Sequence, residues 1–274
     1  MHSPRLSIVI PAFNEANRLP ATLTAIATYL AGHCQLLPAE ILVINDGSED
    51  ATAACAATFQ PPAGISLVVH SLPENRGKGA AIRAGLALAS GEQVLLCDAD
   101  LATPIEEVEK LLPYAGTVVC GSRAVDRRLI SRHQPWLRDR LGRAFNSFLR
   151  LLGLTTLRDT QCGFKLLPGT LAGELSKVLN FDGFIYDVEL LARSARLGFP
   201  PVEVPVRWAH VDESRVQPFK DGVRMVKDAL RLRWKLWGED LKRIRKGERR
   251  GLEPLPPGGS GPKRPHPPSG EPDR

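Results

Sequence analysis

The chain has 274 residues, of which 43% are hydrophobic and 24% are charged, and its formal net charge is +6. This length and balance are typical of a globular protein with a substantial core, and they exclude a small disulfide scaffold, a coiled coil and a wholly disordered chain. No uninterrupted apolar run reaches the roughly 18 to 20 residues that a spanning helix needs, so the sequence predicts only peripheral contact with a membrane.

Short apolar runs alternate with helix-like stretches over the first hundred residues. Strands are predicted over 6–10, 41–44, 65–69 and 93–97. Helices are predicted over 15–31, from a cap region near 48–50, and over 79–89. Continuous apolar strands separated by helices are typical of a parallel sheet covered on both faces. The predicted fold class is therefore α/β, with a doubly wound, mostly parallel sheet that binds ligands at the carboxyl ends of its strands.

The alternation changes character in the second half of the chain. A strand is predicted over 117–120, an amphipathic helix over 136–152, a late strand over 201–208 and a long basic helix over 219–246. Of the last 24 residues, 13 are glycine or proline. This composition predicts a disordered tail over 251–274.

Positive charge is concentrated in two stretches. Residues 1–219 carry 21 basic and 22 acidic side chains, whereas 220–250 carry 12 basic and 5 acidic ones. Within the first block, 123–158 hold nine arginines and two aspartates. This distribution predicts an anionic partner, either nucleic acid, a phosphate-bearing ligand or an acidic lipid surface. The alternative is that these arginines form the solvated faces of ordinary helices.

The cysteines indicate a reducing compartment. Five are present, without a Cys-x-x-Cys pair or any metal-ligand spacing, at positions 34, 55, 97, 120 and 162. They are predicted to be reduced and mostly buried thiols of a cytosolic protein. The N-terminus leads directly into the first predicted strand, and no signal peptide is expected.

Polar residues follow the predicted strands at the edge where ligands bind in such sheets. Asp98 and Asp100 follow the fourth strand, and Asn45 and Asp46 follow the second. Two carboxylates separated by one residue suit Mg²⁺ or Mn²⁺ shared with substrate phosphates. Although an isolated Asp-x-Asp is a weak signal, its position after a buried strand favours a metal site over an ordinary acidic loop.

A basic glycine loop, Asn-Arg-Gly-Lys-Gly at 75–79, precedes the third predicted helix. Such a loop at a helix N-terminus suits an anion. Its spacing matches neither the phosphate loop of nucleotide triphosphatases nor the dinucleotide fingerprint, which argues against both classes. The alternative interpretation is a helix cap and tight turn.

Taken in order, the motifs resemble those of a known enzyme family. The segments at 11–15, 45–50, 75–79 and 98–101 resemble the signature of inverting family 2 glycosyltransferases with the GT-A fold. Three further segments resemble the branch of dolichyl-phosphate β-glucosyltransferases and bacterial polyprenyl-phosphate relatives, at 121–123, 158–166 and 186–191. The resemblance covers about 5–237 and implies a catalytic domain over 1–237. A basic helical extension over 238–250 and the tail lie outside it.

The resemblance also implies roles for individual residues. The implied donor-binding residues are Pro11, Phe13, Glu15, Asp46, Lys78, Asp98, Ala99, Asp100, Arg123 and Arg215. Asp98 and Asp100 would hold Mg²⁺ or Mn²⁺, and the acceptor would meet Arg123, Asp159 and Gln161. Asp100 and Asp159 are the implied catalytic residues. Asp159 would orient a phosphate acceptor, or take a proton from an alcohol acceptor, or merely cap a turn.

Two departures from the family pattern stand out. Asn45 occupies the place of the first of two aspartates, and Glu213 replaces the glycine that usually precedes the segment at Ser214 and Arg215. The first departure leaves the role of Asn45 open. The second departure affects how the loop at 213–215 is expected to close.

The implied reaction moves a hexose, glucose from UDP-glucose above all, onto a polyprenyl or dolichyl phosphate with inversion. The alternatives are another donor, such as GDP-mannose or a UDP-N-acetylhexosamine, and a soluble or polysaccharide acceptor. Nucleic-acid binding through the basic C-terminal helix is a remote alternative, because no recognition motif accompanies it. A catalytically silent sugar-nucleotide-binding subunit is disfavoured by the presence of Asp98, Asp100 and Asp159.

A lipid phosphate acceptor gives the two basic stretches a function. Helix 136–152 carries Trp136, and the C-terminal helix carries Trp234 and Trp237, each among basic residues. Aromatic and basic side chains together suit a membrane interface, so peripheral association with the inner face of the cytoplasmic membrane is expected. Alternatively, these helices only cover the catalytic core. The oligomeric state is left open by the sequence.

Overall fold

The computed structural model describes residues 3–211 and 218–245. Its strands are β1 (Leu6–Ala12), β2 (Ala39–Asn45), β3 (Ile65–Ser71), β4 (Gln93–Leu96), β5 (Val119–Ser122), β6 (Ile130–Arg132), β7 (Lys165–Pro168), β8 (Val202–Pro205) and β9 (Trp208–Ala209). Its α-helices are α1 (Leu19–Ala31), α2 (Thr52–Ala57), α3 (Lys78–Leu88), α4 (Val108–Leu111), α5 (Trp136–Leu151), α6 (Gly169–Val178), α7 (Tyr186–Arg196) and α8 (Pro218–Arg245).

Seven strands form the central sheet, in the order β3-β2-β1-β4-β7-β5-β8. Strands β1 to β4 are parallel, whereas β7 is antiparallel to both β4 and β5. Strands β6 and β9 form a separate parallel pair. The predicted mostly parallel sheet is confirmed. The antiparallel strand β7 was not predicted, because its short apolar run is followed at once by helix α6.

Apolar side chains on both faces of the sheet explain its place at the centre of the molecule. In β1, Ile8 and Ile10 join one buried cluster together with Leu23 of α1, while Val9 joins a second cluster together with Ile82 of α3. Successive side chains of a strand point to opposite faces, so a continuous apolar run requires cover on both. The predicted helices on both faces are therefore confirmed.

Most predicted elements occur close to their expected positions, with two instructive differences. Helix α1 begins at Leu19 instead of residue 15, because Asn14 has a left-handed backbone (φ 54°) and the turn closes with Arg18 N–H donating to the Glu15 carbonyl. The predicted late strand is divided into β8 and β9. The five cysteines are free as predicted, and three of them are buried, namely Cys97, Cys120 and Cys162.

A third buried cluster joins helices α5, α7 and α8. It contains Leu149 of α5, Val188 of α7, and Leu232 and Leu236 of α8. Helix α8 continues without a break across residue 237, where the boundary of the catalytic domain was predicted. Among the described residues, no helix combines the length and apolarity needed to cross a bilayer. The predicted tail at 251–274 lies outside the described residues.

Candidate active site

The polar ends of β1, β2 and β4 lie side by side. Ala12 pairs with Asn45 across β1 and β2, and Val9 pairs with Leu96 across β1 and β4. Because the three strands are parallel and adjacent, the residues that follow them share one edge of the sheet. This edge brings together the predicted residues of the first hundred positions.

Asp46 anchors the basic glycine loop. Its Oδ1 accepts a hydrogen bond from the backbone N–H of Arg76 (2.9 Å), and its Oδ2 accepts one from Gly77 (2.8 Å). Burial raises the pKa of Asp46, and the two N–H donors partly offset this effect. Gly77 has φ 109°, a conformation that favours glycine, and it directly precedes α3. The loop is therefore fixed at a helix N-terminus, as the sequence predicted.

Lys78 and Asp98 form an ion pair at the centre of this edge. The Nζ of Lys78 lies 2.5 Å from Oδ1 of Asp98 and 5.8 Å from the ring centroid of Tyr186. Burial alone would raise the pKa of Asp98, but the charge and hydrogen bond of Lys78, together with the charges of Lys165 and Arg123, outweigh it and lower that pKa. Both groups are consequently charged at neutral pH. An ammonium next to a carboxylate suits a site that receives phosphate groups.

The surroundings of Asp100 disfavour its ionised form, and a bound cation would stabilise that form. Burial and then the charge of Asp98 raise the pKa of Asp100, while its Oδ1 accepts a hydrogen bond from Ala102 N–H (3.0 Å). Within the part of the chain that the structure describes, no group of three or more His, Cys, Asp or Glu side chains forms a complete metal site. Two carboxylates that leave the other positions to phosphates and water fit Mg²⁺ or Mn²⁺.

Gly163 packs against the carboxylate of Asp98. A Cβ atom at position 163 would lie 2.1 Å from Oδ2 of Asp98, so any side chain would displace this carboxylate. The loop that follows Asp159 thus forms one wall of the predicted metal and diphosphate site. This wall comes from a segment far from Asp98 in the sequence.

Replacing Gly163 with alanine is expected to weaken binding of UDP at least about tenfold, because moving Asp98 breaks its ion pair with Lys78. Titration calorimetry measures the effect. Gly173→Ala in α6 is the matched control, since an added Cβ there meets nothing within 4 Å. Equal UDP affinity in the two variants would contradict this account of the wall.

Arg123 and Asp159 form a bidentate, largely buried pair. Arg123 Nε lies 2.7 Å from Oδ2 of Asp159 and its Nη2 lies 2.7 Å from Oδ1, while the backbone N–H of Arg123 also donates to Oδ2 (3.0 Å). The guanidinium lies 5.2 Å from the ring centroid of Trp208. Burial alone would raise the pKa of Asp159, which is 7% exposed, but the charge and hydrogen bonds of Arg123, together with the charge of Lys165, outweigh it and lower that pKa. Asp159 is therefore held as a carboxylate.

A cavity of about 300 Å³ adjoins this pair. The predicted acceptor residues Arg123, Asp159 and Gln161 all line it. Further lining residues that were not predicted to meet the acceptor include Arg127, His133, Arg143, Arg158 and Trp208. Four arginines around one cavity favour a phosphate or another anion.

Two polar residues that hold this cavity, the half-buried Glu203 and the buried Asn146, were not predicted from the sequence. Glu203 of β8 accepts hydrogen bonds from the backbone N–H groups of Arg158 (2.7 Å) and Asp159 (2.8 Å). Asn146 of α5 donates to the carbonyls of Leu157 (2.8 Å) and Arg158 (2.9 Å). Asn146 lies three residues before the buried Leu149, so a polar residue on the apolar face of the predicted helix was an available signal.

The remaining predicted residues lie at the same edge, or outside the described chain. Pro11 lies near the end of β1 and Phe13 follows the strand, and both are half-buried. Glu15 forms a two-pronged pair with Arg18 (2.7 and 2.9 Å). The carbonyl of Ala99 accepts a hydrogen bond from the Thr22 hydroxyl of α1 (2.6 Å), which fixes the turn between the two aspartates. Arg215 lies outside the described residues.

Known proteins match this chain over most of its length. The sequence model of the family described as "Glycosyl transferase family 2" matches residues 7–167. The dolichyl-phosphate beta-glucosyltransferase of Mus musculus is 36% identical over 257 residues, which cover 88% of this chain and 79% of that protein. The protein of the same name from Dictyostelium discoideum is 34% identical over 245 residues, which cover 84% and 74%.

Solved structures support the fold. Glucosyl-3-phosphoglycerate synthase from Mycobacterium tuberculosis in complex with UDP has a TM-score of 0.58 and 21% identity, covering 84% of this chain and 80% of that chain. The same enzyme in complex with Mn²⁺ and UDP-glucose has a TM-score of 0.57 and 22% identity, covering 84% and 79%. The predicted GT-A fold is thereby confirmed. The family match and the relatives named dolichyl-phosphate beta-glucosyltransferase confirm the prediction of an enzyme. By its sequence match over more than half its length, the chain is a member of glycosyl transferase family 2.

Proposed function

We propose that this enzyme transfers glucose from UDP-glucose to the phosphate of a polyprenyl or dolichyl lipid, with inversion at the anomeric carbon. The observation that carries the proposal is the state of Asp159, whose two carboxylate oxygens are engaged by Arg123 and whose pKa is lowered. Such a carboxylate is a poor proton acceptor. A phosphate acceptor needs none, and relatives named dolichyl-phosphate beta-glucosyltransferase support that choice.

The donor half of the site binds the nucleotide diphosphate. Asp98 and Asp100 would hold Mg²⁺ or Mn²⁺, and Lys78 supplies a further positive charge beside them. When bound, the cation supplies Lewis-acid stabilisation of the charge that develops on the leaving diphosphate. The loop that Asp46 anchors presents a helix N-terminus on the same edge.

The acceptor half of the site orients a phosphate for attack. The second pKa of a phosphate monoester is about 6, so the group is largely dianionic and nucleophilic at neutral pH. An acceptor oxygen forms a bond to the anomeric carbon while the bond to the diphosphate breaks, and this single displacement inverts the configuration. Arg143 and Arg158 line the cavity beside Arg123 and suit the acceptor phosphate, while Asp159 holds Arg123 in place.

The donor assignment is tested by transfer of label from a panel of nucleotide sugars to a short polyprenyl phosphate. We expect UDP-glucose to be the best donor and chelation of divalent cations by EDTA to abolish transfer. A preference for GDP-mannose or a UDP-N-acetylhexosamine would overturn the donor assignment. No transfer from any donor would overturn the reaction.

The proposed acceptor also requires a surface that meets a bilayer, and helix α8 offers one. Its buried residues Ala229, Leu232 and Leu236 face the core. Exposed apolar residues recur at spacings of three and four on another side of the helix, at Val223, Val226, Leu230, Trp234, Trp237 and Leu241. The exposed basic residues Arg231, Lys235 and Lys242 each directly follow a residue of this stripe, so they lie about 100° further around the helix. Trp136, at the start of α5, is 68% exposed. These features suit peripheral contact with anionic lipid at the inner face of the cytoplasmic membrane.

Replacing both Trp234 and Trp237 with alanine is expected to lower partition onto anionic vesicles at least about tenfold. The reason is that alanine buries much less apolar surface in the lipid interface than tryptophan does. Co-sedimentation at low and high salt measures the effect, and binding of the wild-type protein should weaken as salt rises. Leu88→Ala is the control, since Leu88 is an exposed apolar residue on α3. Unchanged partition of the double variant would refute the assignment of this surface.

A further inference from the structure

The basic glycine loop packs against a turn formed by residues 180–183. The backbone N–H of Gly79 donates to the carbonyl of Asp182 (2.7 Å). A Cβ atom at Gly77 would lie 2.5 Å from that carbonyl oxygen, and one at Gly79 would lie 2.3 Å from the carbonyl oxygen of Phe181. The position of the loop is therefore set by the backbone of this turn, about a hundred residues away in the sequence.

Glu189 of α7 holds that turn in place. Its Oε2 accepts hydrogen bonds from the backbone N–H groups of Asn180 (2.8 Å) and Phe181 (3.0 Å). Its side chain is fully buried. The same helix begins at Tyr186, whose ring lies under the ammonium of Lys78. One helix thus supports both the turn behind the loop and the lysine within it.

The charge of Glu189 is balanced by Arg193, which reaches α8. Arg193 Nε lies 2.9 Å from Oε1 of Glu189, and its Nη1 and Nη2 lie 3.0 and 3.3 Å from the two carboxylate oxygens of Glu239. A buried carboxylate is costly unless it is paired and fully hydrogen-bonded, and both conditions are met here. A continuous set of polar contacts therefore runs from α8 to the turn.

We propose that Glu189 is a positioning residue for the nucleotide-sugar donor, and that Arg193 and Glu239 act through it. The inference rests on the proposed function, since it concerns the donor half of that site. Loss of the Glu189 carboxylate leaves the backbone N–H groups of Asn180 and Phe181 without their acceptor, and Arg193 then keeps only its pair with Glu239. The turn then relaxes and the loop that carries Lys78 loses its support.

The test compares UDP affinity, measured by titration calorimetry, with the KM values for donor and acceptor. Glu189→Ala is expected to weaken UDP binding and raise the donor KM about tenfold, with the acceptor KM changed less than about twofold. Glu189→Gln keeps an oxygen that can accept from the turn, so it should recover part of this loss. Glu239→Gln should give a smaller change in the same direction. If the Glu189 variants do not fold, this variant tests the proposal in their place.

Asp240→Asn is the matched control. It breaks the pair between Arg196 and Asp240, which also joins α7 to α8 (3.2 Å) but does not reach the turn. We expect its UDP affinity to equal that of the wild-type protein. Equal effects of Asp240→Asn and Glu239→Gln, or normal UDP affinity in a folded Glu189→Ala variant, would overturn the inference. Failure of the wild-type protein to bind UDP would instead overturn the proposed donor.

Discussion

Replacement of Asp100 with asparagine is expected to lower kcat/KM by on the order of 10²- to 10³-fold, because the carboxylate that would hold the cation, and with it the stabilisation of the leaving diphosphate, is lost. The free energy of unfolding should stay the same or increase. Burial and the nearby charge of Asp98 raise the pKa of Asp100, so a neutral amide relieves repulsion in the protein without cation. Steady-state kinetics with Mg²⁺ and unfolding in urea measure the two effects.

Asp126→Asn is the control for this prediction. Asp126 pairs with the exposed Arg128 (2.8 Å) and is outside the donor site, so its replacement should leave turnover unchanged. If Asp100→Asn retained more than about a tenth of wild-type activity, the role assigned to its carboxylate in holding the cation would be contradicted.

Replacement of Arg123 with methionine is expected to reduce the free energy of unfolding by about 3 kcal/mol, because it leaves the buried Asp159 carboxylate without its partner. Transfer to a phosphate acceptor should fall by about two orders of magnitude, since the guanidinium is one of the groups that stabilise charge in the cavity. Unfolding in urea and kinetics with polyprenyl phosphate measure these changes.

The pH dependence of the same variant has a defined sign. The pKa of Asp159 is lowered in the folded protein, so the pair contributes fully above the unfolded pKa of about 4 and is lost as the pH falls through the folded value. The difference in unfolding free energy between the wild-type protein and Arg123→Met should therefore be largest at neutral pH and shrink in acid. A difference that grew in acid would contradict the assignment.

A double-mutant cycle separates the pair from its surroundings. Arg123→Met combined with Asp159→Leu removes both charges, so the double variant should be less destabilised than the sum of the single variants. Strictly additive costs would show that Arg123 and Asp159 are not coupled.

The donor-site residues at the carboxyl ends of the strands could be predicted from the sequence, because each is marked by its immediate neighbours in the chain. Asp46 directly follows β2, Asp98 and Asp100 lie in the turn after β4, and Lys78 begins α3. Parallel strands bring such ends together. The apolar periodicity of the strands and helices, together with the polar residues in the turns between them, is enough to identify these four residues.

The supports of the site could not be predicted in this way, because they depend on contacts between distant segments. Nothing in the local pattern indicates that Gly163 lies against Asp98, or that Glu189 holds the turn behind Gly79. Glu203 alternates with apolar neighbours and resembles an outward-facing strand residue, yet it binds the backbone of Arg158 and Asp159. These residues are recognised only when the order of the strands is known.

The sequence motif alone did not determine the role of Asp159. The sequence left it as an acceptor-orienting group, a proton acceptor or a turn cap. Its bidentate pair with Arg123 and its lowered pKa favour a carboxylate that holds an arginine beside the acceptor cavity. That interpretation separates a phosphate acceptor from an alcohol acceptor, since only the alcohol requires a base.

The decisive measurement is transfer from labelled UDP-glucose to a short polyprenyl phosphate, with the matching polyprenol and 3-phosphoglycerate as competing acceptors. We expect the label in a lipid-extractable glucosyl phosphate and none in the products of the other two acceptors. Transfer to the polyprenol or to 3-phosphoglycerate, with none to the lipid phosphate, would contradict the proposal that a lipid phosphate is the acceptor.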